Sequence, residues 1–437
     1  MRRVLVDTFG CKLNQYDSQV ISESFASNGY ELTSDILAAD VCVVNTCSVT
    51  ARSDYEARQL IRKMHRANPG ALILVTGCYA QRAPNEIGLV KGVRFVTGNA
   101  EKSSLPRFVE SLCACAETGT ELSSSLAVLG QDAARDRASC VSASQLRSRA
   151  LVKIQDGCNA SCSYCVVPSV RGRSRSEPLE TIQGRVKTLE SSGFREAILT
   201  GARIGSYGLD LGEGHSLEGL LRALLSITDG LRFRLSSLEP GEIGASLIDY
   251  VVREKRVCRH FHLPLQSGDP EILVSMGRPY SPNEYAERIQ TIHSRLPDTC
   301  FGSDVIVGFP GESERAFRNT YALIEKLPLS YLHVFPFSRR PGTRAWHMKQ
   351  EPSRAVKKTR GRALRELGMR KKSAFIESQI GTFAEVVLEE EVEAGLFKGT
   401  TGNYLKVLVR TDGKRVRDSI PVRIARRTGE TLVAQAC

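Results

Sequence analysis

The sequence predicts an α/β multidomain protein: an N-terminal doubly wound parallel sheet, a central partial (β/α)6 barrel and a small all-β barrel at the C-terminus. Three observations predict it. Short β-branched apolar runs alternate with helical patterns through the N-terminal quarter of the 437 residues. A second, longer alternation of the same kind fills residues 149–338. From residue 372 onward the helical period gives way to strand-like alternation with Gly-containing turns.

In the first segment the runs are VLVDTFG (4–10), VCVVNTC (41–47), LILVTGC (72–78) and VRFVTG (93–98), with helical patterns at 15–28 and 52–67 between them. Near-continuous apolar strands separated by helices imply a parallel sheet covered on both faces. Residues 1–104 are read as this domain. The Ser- and Ala-rich stretch 105–145 breaks the rhythm and reads as a connector with one helix.

Six candidate strands follow: VKIQDG (152–157), EAILTG (196–201), RFRLSSL (232–238), HFHLPLQ (260–266), SDVIVGF (303–309) and LHVFPF (332–337). Their spacing is that of repeated βα units, and six units suit an open barrel better than a closed eight-stranded one. Chemistry is then expected at the C-terminal strand ends. Residues 146–371 are read as this domain, ending in a basic helix over 354–371 with Gly361 in its middle. Residues 372–437 (AEVVLEE, YLKVLVR, KRVRDSI, VRIARRT, TLVAQA) read as the small barrel.

Apolar content of 41% and charged content of 25% are those of a globular chain. No apolar run reaches the ~18–20 residues of a membrane span. The N-terminal apolar run is too short for a signal sequence, so a cytoplasmic, membrane-free protein is expected. The net charge of +12 is uneven. Residues 1–338 hold 38 basic and 37 acidic side chains, residues 339–372 hold 13 and 2, and residues 398–427 hold 9 and 2. Two basic segments around one terminal domain point to a polyanion such as nucleic acid, with a solvated helix face as the plainer reading.

Thirteen cysteines in such a chain suggest metal ligands or catalytic groups rather than disulfides. Cys158, Cys162 and Cys165 form a C-x3-C-x2-C triplet just after the first candidate barrel strand. Three thiolates on one loop can hold three corners of an iron–sulfur cubane and leave its fourth iron open. Zinc is the rival, although no second C-x2-C pair follows. Three inert buried cysteines are the remaining reading.

Cys11, Cys47 and Cys78 each stand at the end of an N-terminal strand run. In a parallel sheet those ends share one edge, where ligands bind. The pattern fits a second cluster or three small hydrophobes closing buried strands. Cys42 reads as core. Cys258, His260 and His262 share a strand face and form at most a zinc half-site. Cys113, Cys115 and Cys140 have no evident partner. No Walker phosphate loop, nucleophile elbow or dinucleotide fingerprint is present.

These motifs resemble the radical S-adenosylmethionine methylthiotransferases. The resemblance rests on the cysteine triplet within KIQDGCNASCSYCVVPSVRGRSRS (153–176) and on TFGCKLNQYDS (8–18), VNTCSVT (44–50) and TGCYAQ (76–81). LSSLEP (235–240), CRHFHLPLQSG (258–268), DVIVGFPGE (304–312) and LHVFPFSRRPGT (332–343) extend it. It covers the chain apart from the connector, and 372–437 is similar to a TRAM RNA-binding domain. The segments look most like the branch acting on threonylcarbamoyladenosine in tRNA. Two departures stand out: Arg203 where relatives commonly carry Asn, and Asp269-Pro270 where they carry Ser-Asp.

The resemblance implies a transferase that inserts a methylthio group at carbon 2 of N6-threonylcarbamoyladenosine next to the anticodon. An unactivated C–H bond is beyond side-chain acid–base chemistry and is delegated to a cofactor. Two [4Fe-4S] clusters are implied, one on Cys158, Cys162 and Cys165 and one on Cys11, Cys47 and Cys78. The first binds S-adenosylmethionine and the second handles the transferred sulfur, so the two would face one base. Tyr164, Gly201, Glu239 and Gln266 are implied cofactor contacts, each with a packing role as its rival, and no catalytic residue is assigned beyond the cluster ligands. Lys and Arg of 398–427 would bind the tRNA anticodon stem-loop, and Tyr404 could stack on a base or pack in the core. A flavodoxin- or ferredoxin-like electron donor and a sulfur source are further implied partners. Alternatives are the same chemistry on isopentenyladenosine, the branch modifying an aspartate of a ribosomal protein, and a non-catalytic iron–sulfur RNA-binding protein.

Overall fold

The apolar runs of the N-terminal segment become β1 (Arg3–Thr8), β2 (Glu31–Leu32), β3 (Val41–Thr46), β4 (Leu72–Gly77) and β5 (Val93–Val96) in the computed structural model. The structure describes residues 2–117 and 148–437. The five strands are all parallel, in the order β2-β1-β3-β4-β5. Period-two alternation within each apolar strand feeds two cores. Leu5, Cys42, Val44, Ile73 and Val75 pack on one face, and Val4, Val41, Val43, Leu74 and Phe95 on the other. Cys42 is therefore core, as its place in the strand suggests.

The stretch expected as a connector opens with helix Leu105–Glu117. Its Leu105 and Val109 are buried in the second of these cores, so the helix completes the domain rather than leaving it. Cys140 lies outside the described residues, as do the side chains of Cys113 and Cys115. The chain divides into two compact units, one of residues 1–144 with 165–173 and the other of residues 145–164 with 174–437.

The second unit holds β6 (Ala150–Lys153), a two-strand ribbon of β7 (Gln155–Asp156) and β8 (Arg175–Ser176), then β9 (Glu196–Thr200) and β10 (Arg232–Leu235). β11 (His260–His262), β12 (Cys300–Val307) and β13 (Tyr331–Pro336) follow. Parallel sheets β10-β9-β6 and β11-β12-β13 are joined by single bridges, Phe233 to Val257 and Ser237 to His262. All six expected barrel strands have a counterpart, but 152–157 is split between β6 and the β7 ribbon, and β12 starts at Cys300 rather than Ser303. The basic helix is longer than expected, Arg354–Ser378. Gly368 lets it approach β13, because a Cβ there would lie 3.3 Å from Leu332 Cβ.

The C-terminal domain is a closed five-stranded barrel of β14 (Phe383–Glu393), β15 (Leu396–Thr401), β16 (Lys406–Arg410), β17 (Ser419–Thr428) and β18 (Thr431–Ala436). Two expectations are corrected here. KRVRDSI is no strand until its last two residues, Ser419 and Ile420, which open β17, and Arg417 lies in the left-handed region at φ 83°. LFKGTT, not among the expected strands, is a barrel strand. A Cβ at Gly399 would lie 2.5 Å from Val387 O, so the close pairing of β14 and β15 requires glycine. Among the described residues no helix is long and apolar enough to cross a membrane.

Candidate metal centres

Thr8, Thr46 and Gly77 end three adjacent strands in matched register. Cys11, Cys47 and Cys78 are thereby delivered to one edge of the first sheet. Gly10 (φ 104°) lets the first loop close on Cys47, since a Cβ there would lie 2.8 Å from Cys47 Sγ. Burial pushes the Cys47 thiol up to about 12, and the neighbouring Cys78 and Cys11 add to the rise. Among the described residues the three sulfurs do not all come within 4.8 Å of one another. A single tetrahedral zinc with ~2.3 Å bonds would need that closeness, whereas a multi-iron cluster spaces its thiolates more widely.

Polar residues that sequence reasoning missed frame this trio. Asn14 Nδ2 donates to Phe9 O (2.8 Å) and Thr46 O (3.0 Å), tying the first loop to β3. Its Oδ1 accepts from Arg171 Nη2 (2.5 Å) and lies 3.9 Å from Cys78 Sγ. Asn99 Nδ2 lies 3.9 Å from the same sulfur. Asp17 accepts from Lys102 Nζ (2.6 Å) and Arg171 Nη2 (2.9 Å), all three buried. Lys102 and Arg171 converge on one buried carboxylate, burial lowering the Lys102 pKa, and the Arg171 guanidinium also donates to the Asn14 amide that lies beside Cys78, which suits a thiolate-ligated cluster. The adjacent LN of CKLN was the available signal for Asn14. Nothing local marks Arg171. The Gly10→Ala variant is expected to lose about four of about eight irons while keeping its circular dichroism, and elemental iron analysis checks this.

The triplet loop follows β7. Each of its sulfurs accepts a hydrogen bond, Cys158 from Ala160 N (3.4 Å), Cys162 from Arg278 Nη1 (3.2 Å) and Cys165 from Val167 N (3.5 Å). Donors on sulfur stabilise thiolate and tune a ligated cluster. Burial raises the Cys158 thiol, the Ala160 N–H and Arg203 oppose this, and Cys162 and Glu239 add to it. The residues present thus fit a three-thiolate cluster.

Arg278 was not anticipated. Its side chain is buried, stacks 4.9 Å from the Tyr280 ring, donates through Nε to Tyr280 OH (3.0 Å) and pairs with Glu239. Glu239 is therefore a satisfied carboxylate beside the loop, and burial raises its pKa despite Arg278. Tyr164 packs edge-on to Phe309 (6.4 Å) within an apolar cluster that includes Ile306. At Gly201 a Cβ would lie 2.8 Å from Gln155 O, so backbone packing alone demands glycine. Gln266 holds a left-handed backbone (φ 63°) and bridges to Val305 at the strand end.

The two departures have structural accounts. Arg203 pairs with Glu242, and its backbone N–H donates to Gln155 Oε1 (2.9 Å). Asp269 caps helix Pro270–Met276 by accepting from Glu271 N and Ile272 N, both at 3.1 Å, and from Asn319 Nδ2 (2.8 Å). Tyr404 stacks on His260 (4.4 Å) and lies under Arg234, so packing accounts for it rather than a base contact. Cys258 is buried near Glu196 and takes no part in a His site. His262 meets Asp304 and His333 instead.

Residues 152–324 match the radical SAM superfamily, and residues 3–98 match an uncharacterized protein family described as UPF0004. A "Threonylcarbamoyladenosine tRNA methylthiotransferase MtaB" of Aquifex aeolicus is 38% identical over 89% of this chain and 93% of that protein. Its namesake in Bacillus subtilis is 34% identical over 97% and 94%. A "tRNA-2-methylthio-N(6)-dimethylallyladenosine synthase" of Acetivibrio thermocellus is 30% identical over 96% and 88%. The radical S-adenosylmethionine methyltransferase TsrM of Kitasatospora setae, solved with cobalamin and a [4Fe-4S] cluster, shares the fold. Its TM-score is 0.54 at 16% identity, over 79% of this chain and 74% of that one. Two cysteine trios on two α/β domains, and near-full-length relatives of this kind, lead to one assignment: the chain belongs to the radical S-adenosylmethionine methylthiotransferase family.

Proposed function

We propose that the protein inserts a methylthio group at carbon 2 of N6-threonylcarbamoyladenosine at position 37 of tRNA. The observation that carries the chemistry is the pair of cysteine trios, one at the C-terminal edge of the first parallel sheet and one on the loop after β7, each framed by donors or cations. The substrate follows the names of the relatives at 32–38% identity, which cover 87–99% of this chain.

In this reading Cys158, Cys162 and Cys165 hold one [4Fe-4S] cluster, and Cys11, Cys47 and Cys78 hold the other. S-adenosylmethionine at the open iron of the first supplies the radical chemistry that an unactivated C–H bond requires. Arg278 and the backbone N–H groups of Ala160 and Val167 keep the three thiolates oriented and their charge offset. Tyr164, Gly201, Glu239 and Gln266 contact the bound cofactor. The bounds 146–371 and 372–437 stand as proposed divisions of labour, while helix Leu105–Glu117 extends the first domain past residue 104. Exposed Arg410, Lys414, Arg415, Arg423 and Arg426 of the C-terminal barrel bind phosphates of the anticodon stem-loop, with salt-dependent affinity. A small redox protein of the flavodoxin or ferredoxin class supplies the electron in the cytoplasm.

Deleting the gene and analysing digested tRNA by mass spectrometry tests the assignment. The 2-methylthio form of threonylcarbamoyladenosine is expected to vanish and its unmethylthiolated precursor to accumulate. Unchanged nucleosides overturn it, and loss of the isopentenyl product instead assigns the rival branch.

A further inference from the structure

One inner sheet face in the second unit carries an ordered polar chain. His260 and His262 share a face of β11, and Tyr331, His333 and Phe335 share a face of β13. Leu332 points the other way, toward Gly368 of helix Arg354–Ser378. On β12 between them, Gly302, Asp304 and Ile306 alternate onto that same inner face. A Cβ at Gly302 would strike the Tyr331 ring, and Asp304 meets both His262 and His333. Two residues on from Asp304, Ile306 joins the apolar cluster that contains Tyr164, next to the last cysteine of the triplet. The polar chain thus lies one step along the strands from the cofactor loop.

One proton order satisfies these contacts, with the ring tautomers assigned from their partners. The Asp304 carboxyl would be pushed up by burial, but the imidazole donors of His262 and His333 more than reverse this, so it is an ionised acceptor. Its Oδ1 lies 3.0 Å from His262 Nε2 and 3.1 Å from His333 Nδ1, so both nitrogens carry protons. His262 Nδ1 is then a lone pair and takes the single O–H proton of Tyr331 (3.1 Å). The Tyr331 oxygen in turn accepts from His260 Nε2–H (2.9 Å). With Nδ1 facing Asp304, His333 turns its Nε2 outward, and in the tautomer that donates from Nδ1 this nitrogen offers a lone pair. That side chain is 55% exposed, and Phe335, 39% exposed, stands 6.3 Å away edge to face.

A fixed acceptor beside an exposed aromatic ring suits a nucleoside bearing a polar substituent. The acceptor wants an O–H or N–H donor, and the ring offers an apolar surface to a base or an alkyl stem. Resting on the substrate reading above, we propose that His333, oriented by Asp304, accepts a hydrogen bond from the amino-acid arm on N6 of the target adenosine and so selects that arm. A threonylcarbamoyl group offers hydroxyl and ureido donors. An isopentenyl group offers none, and would leave the imidazole desolvated and unpaired. The same three ligand atoms lie within 4.8 Å of one another and could cradle a divalent cation. The exposed Phe335 ring beside His333 favours the recognition role.

The test uses reconstituted holoenzyme and synthetic anticodon stem-loops carrying threonylcarbamoyladenosine, isopentenyladenosine or plain adenosine at position 37. Wild type is expected to bind the first most tightly. His333→Ala should reduce that preference by about tenfold, the worth of one good hydrogen bond, with unchanged affinity for the plain adenosine loop. Asp304→Asn should reduce it in the same direction, because it lets the imidazole turn. Equal weakening of all three loops, or an unchanged preference in His333→Ala, overturns the inference alone. A wild type with no preference overturns the substrate reading and the inference with it. One equivalent of zinc retained by wild type and lost from Asp304→Asn at constant iron overturns it in favour of a metal site.

Discussion

Replacing Cys158 with Ala is expected to halve the iron of the anaerobically reconstituted protein, from about eight to about four per chain, and to abolish cleavage of S-adenosylmethionine. The effect is large because the loop has no substitute ligand. Among the described residues the second unit's other cysteines, Cys258, Cys300 and Cys437, lie elsewhere: the first two are buried in the fold and Cys437 is the exposed C-terminal residue. The fold should survive, because Cys158 sits on a partly exposed loop and its neighbours are held by other bonds. Ser163, for instance, is anchored to Met276 O and Ala345 N through its backbone. Elemental analysis and the visible iron–sulfur absorption read the outcome. Cys258→Ala is the matched control, with expected iron equal to wild type. If Cys158→Ala keeps all its iron, the ligand assignment fails.

Glu196→Gln is expected to be the most damaging single change to stability in the second unit. Glu196 is 0% exposed and accepts from Arg232 Nε (2.8 Å), Arg234 Nε (2.7 Å) and Nη2 (3.0 Å), and Arg149 Nη1 (3.3 Å). The same arginines reach the C-terminal barrel, Arg232 to Glu385 O and Thr400 O, Arg234 to Thr401 O and Gly402 O. Removing the carboxylate leaves buried guanidinium charge uncompensated, at a cost of about 3–5 kcal/mol. Burial alone would raise the Glu196 carboxyl, but Arg234 and Arg232 hold it well below the ordinary range. A depressed carboxylate stabilises the fold above its unfolded pKa, and that stability is lost as pH falls toward the folded one. Wild type should therefore lose stability on acidification more steeply than the variant. Chemical denaturation at neutral and acid pH measures both, and an unshifted midpoint at neutral pH would discount the clamp.

The candidate site was legible to the extent that its chemistry is local or periodic. Three cysteines within eight residues declare themselves. Cys11, Cys47 and Cys78 could be placed together because β-branched runs give strands, parallel strands share their C-terminal edge, and each cysteine follows such a run. Arg278 could not be found in this way. It lies 116 residues from the sulfur it donates to, in a stretch that reads as an ordinary basic helix end. Arg171 lies 154 residues from Asp17. The zinc half-site suggested by the spacing of Cys258, His260 and His262 was misleading for the complementary reason. One strand shows which residues share a face, but the neighbouring strands supply what that face meets, here Asp304 and His333. The strand LFKGTT was not among those expected, and its Gly399 is demanded by a backbone across the sheet.

The order of strand and helix runs, the spacing of the cysteines and the family they mark were readable along the chain, since hydrophobic period and residue spacing are linear features. Tertiary structure alone decided which charges are buried against which. It set Asp17 between Lys102 and Arg171, Glu196 among three arginines and Asp304 between two imidazoles. The reason is physical: an ion pair acts over a few ångströms of space and is indifferent to the 29 to 154 residues that separate these partners.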